Sequence, residues 1–163
     1  MIKMKKIWLT FLTAFLLAVA MSSSALAAGW LPMSDVALGG ITLEMTQDAV
    51  ENIYGQPTKS TDRGILRYDG CHHVVWQYGD SFVIDFADGY VDSIKTFGIN
   101  GIKTPAGIHV ASAEIDILNT YGEPWLRNSN GRHLIYWYHT EKDRKLFIDV
   151  LYGRVASIVV AYE

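Results

Sequence analysis

The stretch that decides the fold is residues 40–57, GITLEMTQDAVENIYGQP, which returns in altered form as GIHVASAEIDILNTYGEP at residues 107–124. The two stretches align without a gap over eighteen residues, and both end in Tyr-Gly-x-Pro. Glycine and then proline commonly end a helix, because glycine accepts a left-handed backbone and proline cannot continue the helix. This pattern predicts one short helix in each of two copies of a repeated unit.

The similarity continues beyond both predicted helices. Residues 73–78, HVVWQY, match residues 133–138, HLIYWY, and residues 84–94 match residues 148–158 in their Ile-Asp, Gly, Val and Ser-Ile positions. These runs are rich in β-branched and aromatic residues and are separated by tight glycine turns, which favours antiparallel strands. The predicted strands are 73–78, 81–86, 90–97, 132–139, 145–151 and 154–162, with Ile65–Tyr68 as an optional further strand.

The sequence therefore predicts an α+β fold made of two tandem repeats. Each repeat is expected to be a short helical segment packed on an antiparallel β-meander, and the two sheets are expected to join into one concave surface. Both repeats belong to one domain. The expected division of the chain is a signal peptide at 1–27, an N-terminal segment at 28–37, repeat one at 38–97, a connector at 98–106 and repeat two at 107–163.

The N-terminus has the features of a secretory leader. Lys3, Lys5 and Lys6 precede an apolar run of about 15 residues, and the run ends in small residues that include Ala25-Leu26-Ala27. A signal peptidase is expected to cut after Ala27, and the protein is expected to be secreted or periplasmic. A retained anchor is the alternative, but the run is shorter than the roughly 20 residues that span a bilayer. The single cysteine lies at position 71, so no lipid-attachment site stands at the predicted cut.

Charge limits the choice of partners. The leader carries three of the 14 basic residues and none of the 17 acidic ones, so its removal leaves a net charge near −6. An acidic protein is poorly suited to nucleic acid or to anionic membrane surfaces, and we expect neither nucleic-acid binding nor membrane insertion after cleavage. One cysteine cannot form an internal disulfide, so stability must come from packing.

In its two repeated segments the chain resembles the tandem-repeat fold of the beta-lactamase inhibitory proteins. It is also similar to the related small lipoproteins of outer-membrane protein assembly. The resemblance is carried by Gly-Ile-x-Leu…Tyr-Gly-x-Pro and by the closing Asp…Gly-x-Val-x-Ser-Ile, over most of residues 38–162. It implies a sheet surface that binds a protein and has no catalytic role. The absence of disulfides and of a lipid anchor departs from the family and leaves the partner open.

The aromatic strand residues are the candidate binding site. Because successive strand residues point to opposite faces, one face of the sheet packs under the helices and the other is exposed, and either parity is compatible with the sequence. An exposed aromatic face favours recognition of a protein or peptide partner. The candidate binding residues on both parities, with a rim position after Pro124, are Trp76, Tyr78, Trp125, Tyr136, Trp137, Tyr138, His73 and His133.

Two other functions remain as alternatives. Cys71, His73 and His133 could form a metal site or a thiol–imidazole enzyme if the two sheets abut, although none of the usual zinc spacings is present. The aromatic face could instead hold glycans or small apolar ligands. No catalytic motif and no cofactor fingerprint is present. We therefore expect a non-catalytic binding protein without a cofactor.

Overall fold

The computed structural model describes residues 28–140 and 142–162, which form one eight-stranded antiparallel sheet with two short helices. The predicted signal peptide lies outside these described residues. The helices are α1, Gln47–Tyr54, and α2, Glu114–Tyr121, and a 3-10 turn covers Met33–Asp35. The strands are β1 Lys59–Ile65, β2 His72–Tyr78, β3 Phe82–Ala87, β4 Tyr90–Thr96, β5 Leu126–Asn130, β6 His133–His139, β7 Arg144–Leu151 and β8 Arg154–Tyr162.

The strand order in the sheet is β1-β2-β3-β4-β8-β7-β6-β5. Connections of two to six residues join successive strands within β1–β4 and within β5–β8. The two groups meet where β4 pairs with β8 over four residue pairs, from Ser93 opposite Ala161 to Thr96 opposite Ile158. β1 and β5 are therefore the two edges of a continuous sheet.

The expected fold class was wrong. The structure is mostly one eight-stranded sheet with two eight-residue helices among the described residues, and it is not a pair of helix-plus-meander repeats. The physical reason is the β4–β8 pairing: backbone hydrogen bonds run through the junction, and buried side chains from both halves form one hydrophobic cluster. The sequence predicted that the two sheets would join, but not that β4 and β8 are the strands that pair.

The two edge strands were missed by the sequence pattern. β1 and β5 have nearly every residue exposed and are largely polar, so neither shows the alternation of apolar and polar residues that marks a half-buried strand. The suggested strand at Ile65–Tyr68 was misplaced, because β1 ends at Ile65 and a turn follows. Pairing with β2 and β6 makes these segments into strands.

The helix ends follow local chemistry. Thr46 accepts a hydrogen bond from the Ala49 N–H at 3.2 Å, as expected of an N-cap. The Ser112 hydroxyl, just before α2, accepts from the His109 N–H at 3.1 Å and does not cap the helix. The α2 cap position is Ala113, whose N–H donates to the Asp116 carboxylate at 3.1 Å.

The core lies between the helices and one face of the sheet. Val50 of α1 and Ile117 of α2 are fully buried against strand residues such as Ile84, Ile94 and Ile148. We call this the helix-facing side of the sheet, and we call the other side the open face. The two helices thus decide which side chains are available for binding.

Candidate functional site

Four of the predicted binding residues lie on the helix-facing side. Tyr136 and Tyr138 have no exposed surface, Trp76 is 9% exposed, and Tyr78 is half-buried against the same core. The structure thus selects one of the two parities left open by the sequence, and these four side chains are not on the open face.

The tyrosines on the helix-facing side connect the sheet to the helix ends. The Tyr78 hydroxyl donates to the Gly55 carbonyl at 3.0 Å, and the Tyr138 hydroxyl donates to the Gly122 carbonyl at 2.9 Å. The Tyr136 hydroxyl donates to Glu114. Burial, reinforced by that carboxylate, raises the pKa of Tyr136 to about 12. These contacts give the tyrosines a structural role.

The open face carries an unusual number of apolar side chains. It is defined by the register of the strands, in which Val75 lies opposite Asp85 and Trp137 lies opposite Phe147. When one face of an antiparallel sheet is exposed to solvent, the side chains on that face are normally polar. Here the half-buried apolar residues of this face are Val75, Val83, Ile135, Trp137, Phe147 and Val159.

The aromatic residues of the open face concentrate at the β5–β6–β7 end. The Trp137 and Phe147 rings meet edge to face with centroids 5.1 Å apart, and the Lys145 ammonium lies 5.5 Å from the Trp137 centroid. The His139 ring lies beside them, 5.2 Å from the Trp125 ring. We call these five residues the aromatic patch. Trp125 is 58% exposed and forms its rim.

Two polar atoms in the aromatic patch have no hydrogen-bond partner within the described part of the chain. They are Nε1 of Trp137 and Nε2 of His139, and both are shielded from solvent. Most buried polar groups in folded proteins are hydrogen-bonded. The aromatic patch therefore contains two ring nitrogens whose hydrogen-bonding capacity is unused within the described residues.

The N-terminal segment flanks the aromatic patch. His139 exchanges backbone hydrogen bonds of 2.8 Å with Gly29 and Leu31, and the Trp30 ring lies 6.1 Å from the His139 ring. Leu31 is buried in the core. The segment therefore fixes the end of β6 from which His139 projects.

His73 is the most constrained side chain of the open face. Its side chain is fully buried, with Nδ1 3.0 Å from Asp85 and Nε2 2.7 Å from Asp69. Tyr68 covers the ring at 5.8 Å between centroids. Both ring nitrogens face carboxylates, so the imidazolium, which donates at both positions, is the form that satisfies them.

The electrostatics agree with a charged His73. Burial alone would lower its pKa, but the hydrogen bonds to Asp69 and Asp85 outweigh burial and leave the pKa raised. Desolvation opposes the same pairing at Asp69, yet the bond to His73 holds the Asp69 pKa below its ordinary value. Desolvation raises the pKa of nearby Asp92. Both ring nitrogens of His73 are thus occupied by hydrogen bonds to carboxylates.

The structure does not bring the proposed metal or nucleophile residues together. His73 is on β2 and His133 is on β6, which are five strand positions apart, or roughly 24 Å at ordinary strand spacing. His133 instead pairs with Asp149 and is 44% exposed. Hydrogen bonding to Asp88 and burial raise the pKa of the Cys71 thiol, which disfavours the thiolate. Among residues 28–140 and 142–162, no group of three or more metal-capable side chains is arranged to hold an ion.

Some site residues were not expected from the sequence. Lys145, Phe147 and His139 of the aromatic patch were not among the predicted binding residues, and the first two lie on β7, which contains no histidine or tryptophan. Side chains along β7 alternate between the two faces of the sheet, and the β6–β7 register shows which of them lie beside Trp137 and His139. Trp125, which was among the predicted binding residues, lies directly before β5.

Comparison with known proteins finds similar solved structures but no matching family. No family model and no curated protein matches this chain. Two similar solved structures are an extracellular protein containing an SCP domain from Bacillus anthracis str. Ames and a cysteine-rich secretory protein from Staphylococcus aureus subsp. aureus Mu50. The first is 8% identical with a TM-score of 0.48, and the match covers 74% of this chain and 44% of that one. The second is 11% identical with a TM-score of 0.45, covering 74% and 43%.

The resemblance expected from the sequence motifs was wrong, because both of these structures are described as SCP-domain or cysteine-rich secretory proteins and not as beta-lactamase inhibitory proteins. The chain spans less than half the length of either one. Within the described residues, no helix has the length and apolar character needed to cross a membrane.

Proposed function

We propose that this protein is an exported, non-catalytic binding protein that holds a protein partner on the open face of its sheet. Export is supported by the leader pattern at residues 1–27. The observation that supports the binding role is the aromatic patch, in which Trp137 and Phe147 meet edge to face on the side of the sheet that the helices leave uncovered. Clusters of this kind are enriched at protein interfaces.

The dimensions of the open face favour a macromolecule. Eight strands at ordinary spacing and length give a face roughly 34 Å wide and 23 Å tall, or ~800 Å². One partner in a standard specific interface contributes about this area. Three clefts, of about 180, 270 and 360 Å³, are lined by loop and helix-end residues and include no strand residue of the open face.

The charges of the face fit a partner that is neutral or basic. Asp85 and Asp149 are already engaged with histidines, and Lys145 lies over the Trp137 ring. The chain as a whole becomes more acidic once the leader is removed. Net charge of one sign steers partners of the other sign and changes association rates more than affinity.

The test is retention of a partner from native culture and envelope fractions by the wild type and by Trp137→Ala. Removal of a central aromatic anchor is expected to weaken binding by about tenfold or more. Ile115→Ala, an exposed apolar residue of α2 on the other side of the sheet, is the matched control and is expected to retain the partner. Equal retention by Trp137→Ala and wild type, with both variants folded by circular dichroism, would refute the open-face role.

A further inference from the structure

The two edges of the sheet are protected very differently. β1 carries Lys59, Asp62 and Arg63, and a bulge interrupts its register between Asp62 and Gly64. The Asp62 carboxylate also accepts from the Gly64 N–H at 2.7 Å. Charges and bulges are the usual means by which proteins prevent an edge strand from pairing with another chain.

β5 carries a single charged residue and has no bulge within its five paired residues. Its five residues are all exposed and pair with β6 in unbroken register. Its one charged residue, Arg127, is already engaged, with its guanidinium 3.2 Å from Glu114 and over the Tyr136 ring at 5.5 Å. The edge therefore presents no free charge against an incoming uncharged strand.

The register of β5 fixes which backbone groups are free. A two-residue turn joins Asn130 to His133, which makes this facing pair a hydrogen-bonded one. Since such pairs alternate, the backbone N–H and C=O groups of Arg127 and Ser129 point away from β6. The Trp137 carbonyl accepts from the Trp125 N–H at 2.9 Å and so points toward β5, although Trp125 lies one residue outside the Leu126–Trp137 register.

Large apolar side chains stand at the start of the same edge. Trp125 is 58% exposed and Leu126 is 42% exposed. Leu126 lies directly opposite Trp137, so the edge is continuous with the aromatic patch. A strand added here would place alternate side chains beside Leu126 on the open face.

We propose that β5 accepts an extended, uncharged segment of the protein partner as a ninth strand of the sheet. The backbone groups of Arg127 and Ser129 supply the hydrogen bonds, and Trp125 and Leu126 hold the apolar side chains of the segment. This inference rests on the proposed function and specifies the mode of binding. A second copy of this chain is the competing occupant, but pairing of two five-residue edges buries less surface than stable dimers require.

Ser129→Pro tests the proposal, because it removes one outward N–H and leaves the β5–β6 ladder intact. Ser129→Ala keeps that N–H and is the matched control. Short random peptides displayed on phage are selected on the purified protein, and the enriched peptides are then measured against both variants. We expect peptides with apolar residues at alternate positions, bound about tenfold more weakly by Ser129→Pro and unchanged by Ser129→Ala.

The outcomes separate this inference from the proposed function. Peptides that depend on Trp137 but bind Ser129→Pro normally would overturn edge addition and leave open-face binding intact. Peptides that depend on neither residue would overturn both, and so would the failure of any peptide to be enriched. A wild-type dimer in light scattering that Ser129→Pro dissociates would assign the edge to a second copy and refute the proposal.

Discussion

At the scale of the residue, His73 shows how a buried charge can be stabilised in a small sheet protein. Its imidazole is enclosed beneath Tyr68 and bonded at both nitrogens to Asp69 and Asp85. Asp69 lies in the turn between β1 and β2, so the contact also fixes that turn to the sheet. Loss of the imidazole would leave two carboxylates facing each other without a cation.

We expect His73→Ala to lower the free energy of unfolding by about 2–4 kcal/mol in urea titrations between about pH 5 and 6. Because the folded protein raises the His73 pKa, its contribution is complete below the pKa of the unfolded histidine and is lost as pH rises through the folded pKa. The difference between wild type and His73→Ala should therefore shrink with rising pH.

The stabilisation from the His73–Asp69 pair is also lost at low pH. The Asp69 pKa is lowered, so its contribution is present above the ordinary carboxyl pKa and is lost as pH falls through the folded value. His133→Ala is the control, since that imidazole is 44% exposed and should cost less than about 1 kcal/mol. A His73 contribution that grows with rising pH would show that the neutral ring is the stabilising form.

At the scale of the element, the N-terminal segment depends on one glycine. Gly29 has φ +78°, and a Cβ placed there would lie 2.0 Å from the Trp125 backbone nitrogen. No side chain can be accommodated without moving the segment or β5. The segment in turn supplies backbone bonds to His139 beside the aromatic patch.

Gly29→Ala is therefore expected to detach the segment, whereas Gly40→Ala provides a control for backbone strain alone. Gly40 has nearly the same φ, +80°, but a Cβ there meets nothing within 4 Å. Strain should cost each variant about 1–2 kcal/mol. Only Gly29→Ala should increase the hydrogen exchange of the Leu31 and His139 amides. Equal protection in the two variants would mean that the segment adapts to the added methyl group.

At the scale of the whole molecule, the β4–β8 junction unites the two halves. Ile94 and Ile158 are fully buried on these adjacent strands, and the hydrophobic cluster around them includes Trp76 of β2 and Tyr136 of β6. Side chains from both ends of the sheet thus share one core.

We expect the two halves to unfold together. Ile158→Ala should cost about 2–4 kcal/mol by leaving a cavity at the junction. Amides of β2 and β6 should lose protection from hydrogen exchange at the same urea concentration, in the wild type and in the variant. β2 amides that stay protected after β6 has opened would instead indicate two independent units.

The sequence by itself determined the local structure of this protein. Thr46 and the Tyr-Gly-x-Pro endings located the helices, and the aromatic strand runs located six of the eight strands. These features depend on backbone preference and on short-range periodicity, which neighbouring residues decide. The sequence also supplied the leader pattern on which the proposal of export depends.

Only the tertiary structure decided the sheet and the site. The pairing of β4 with β8, the polar edge strands and the parity that buries Tyr136 and Tyr138 all depend on contacts between residues far apart in the chain. The aromatic patch is formed in the same way, since Trp137 meets Phe147 only in the β6–β7 register. Alternation along one strand shows that it has two faces, but the helices that cover one of them determine which face a partner can reach.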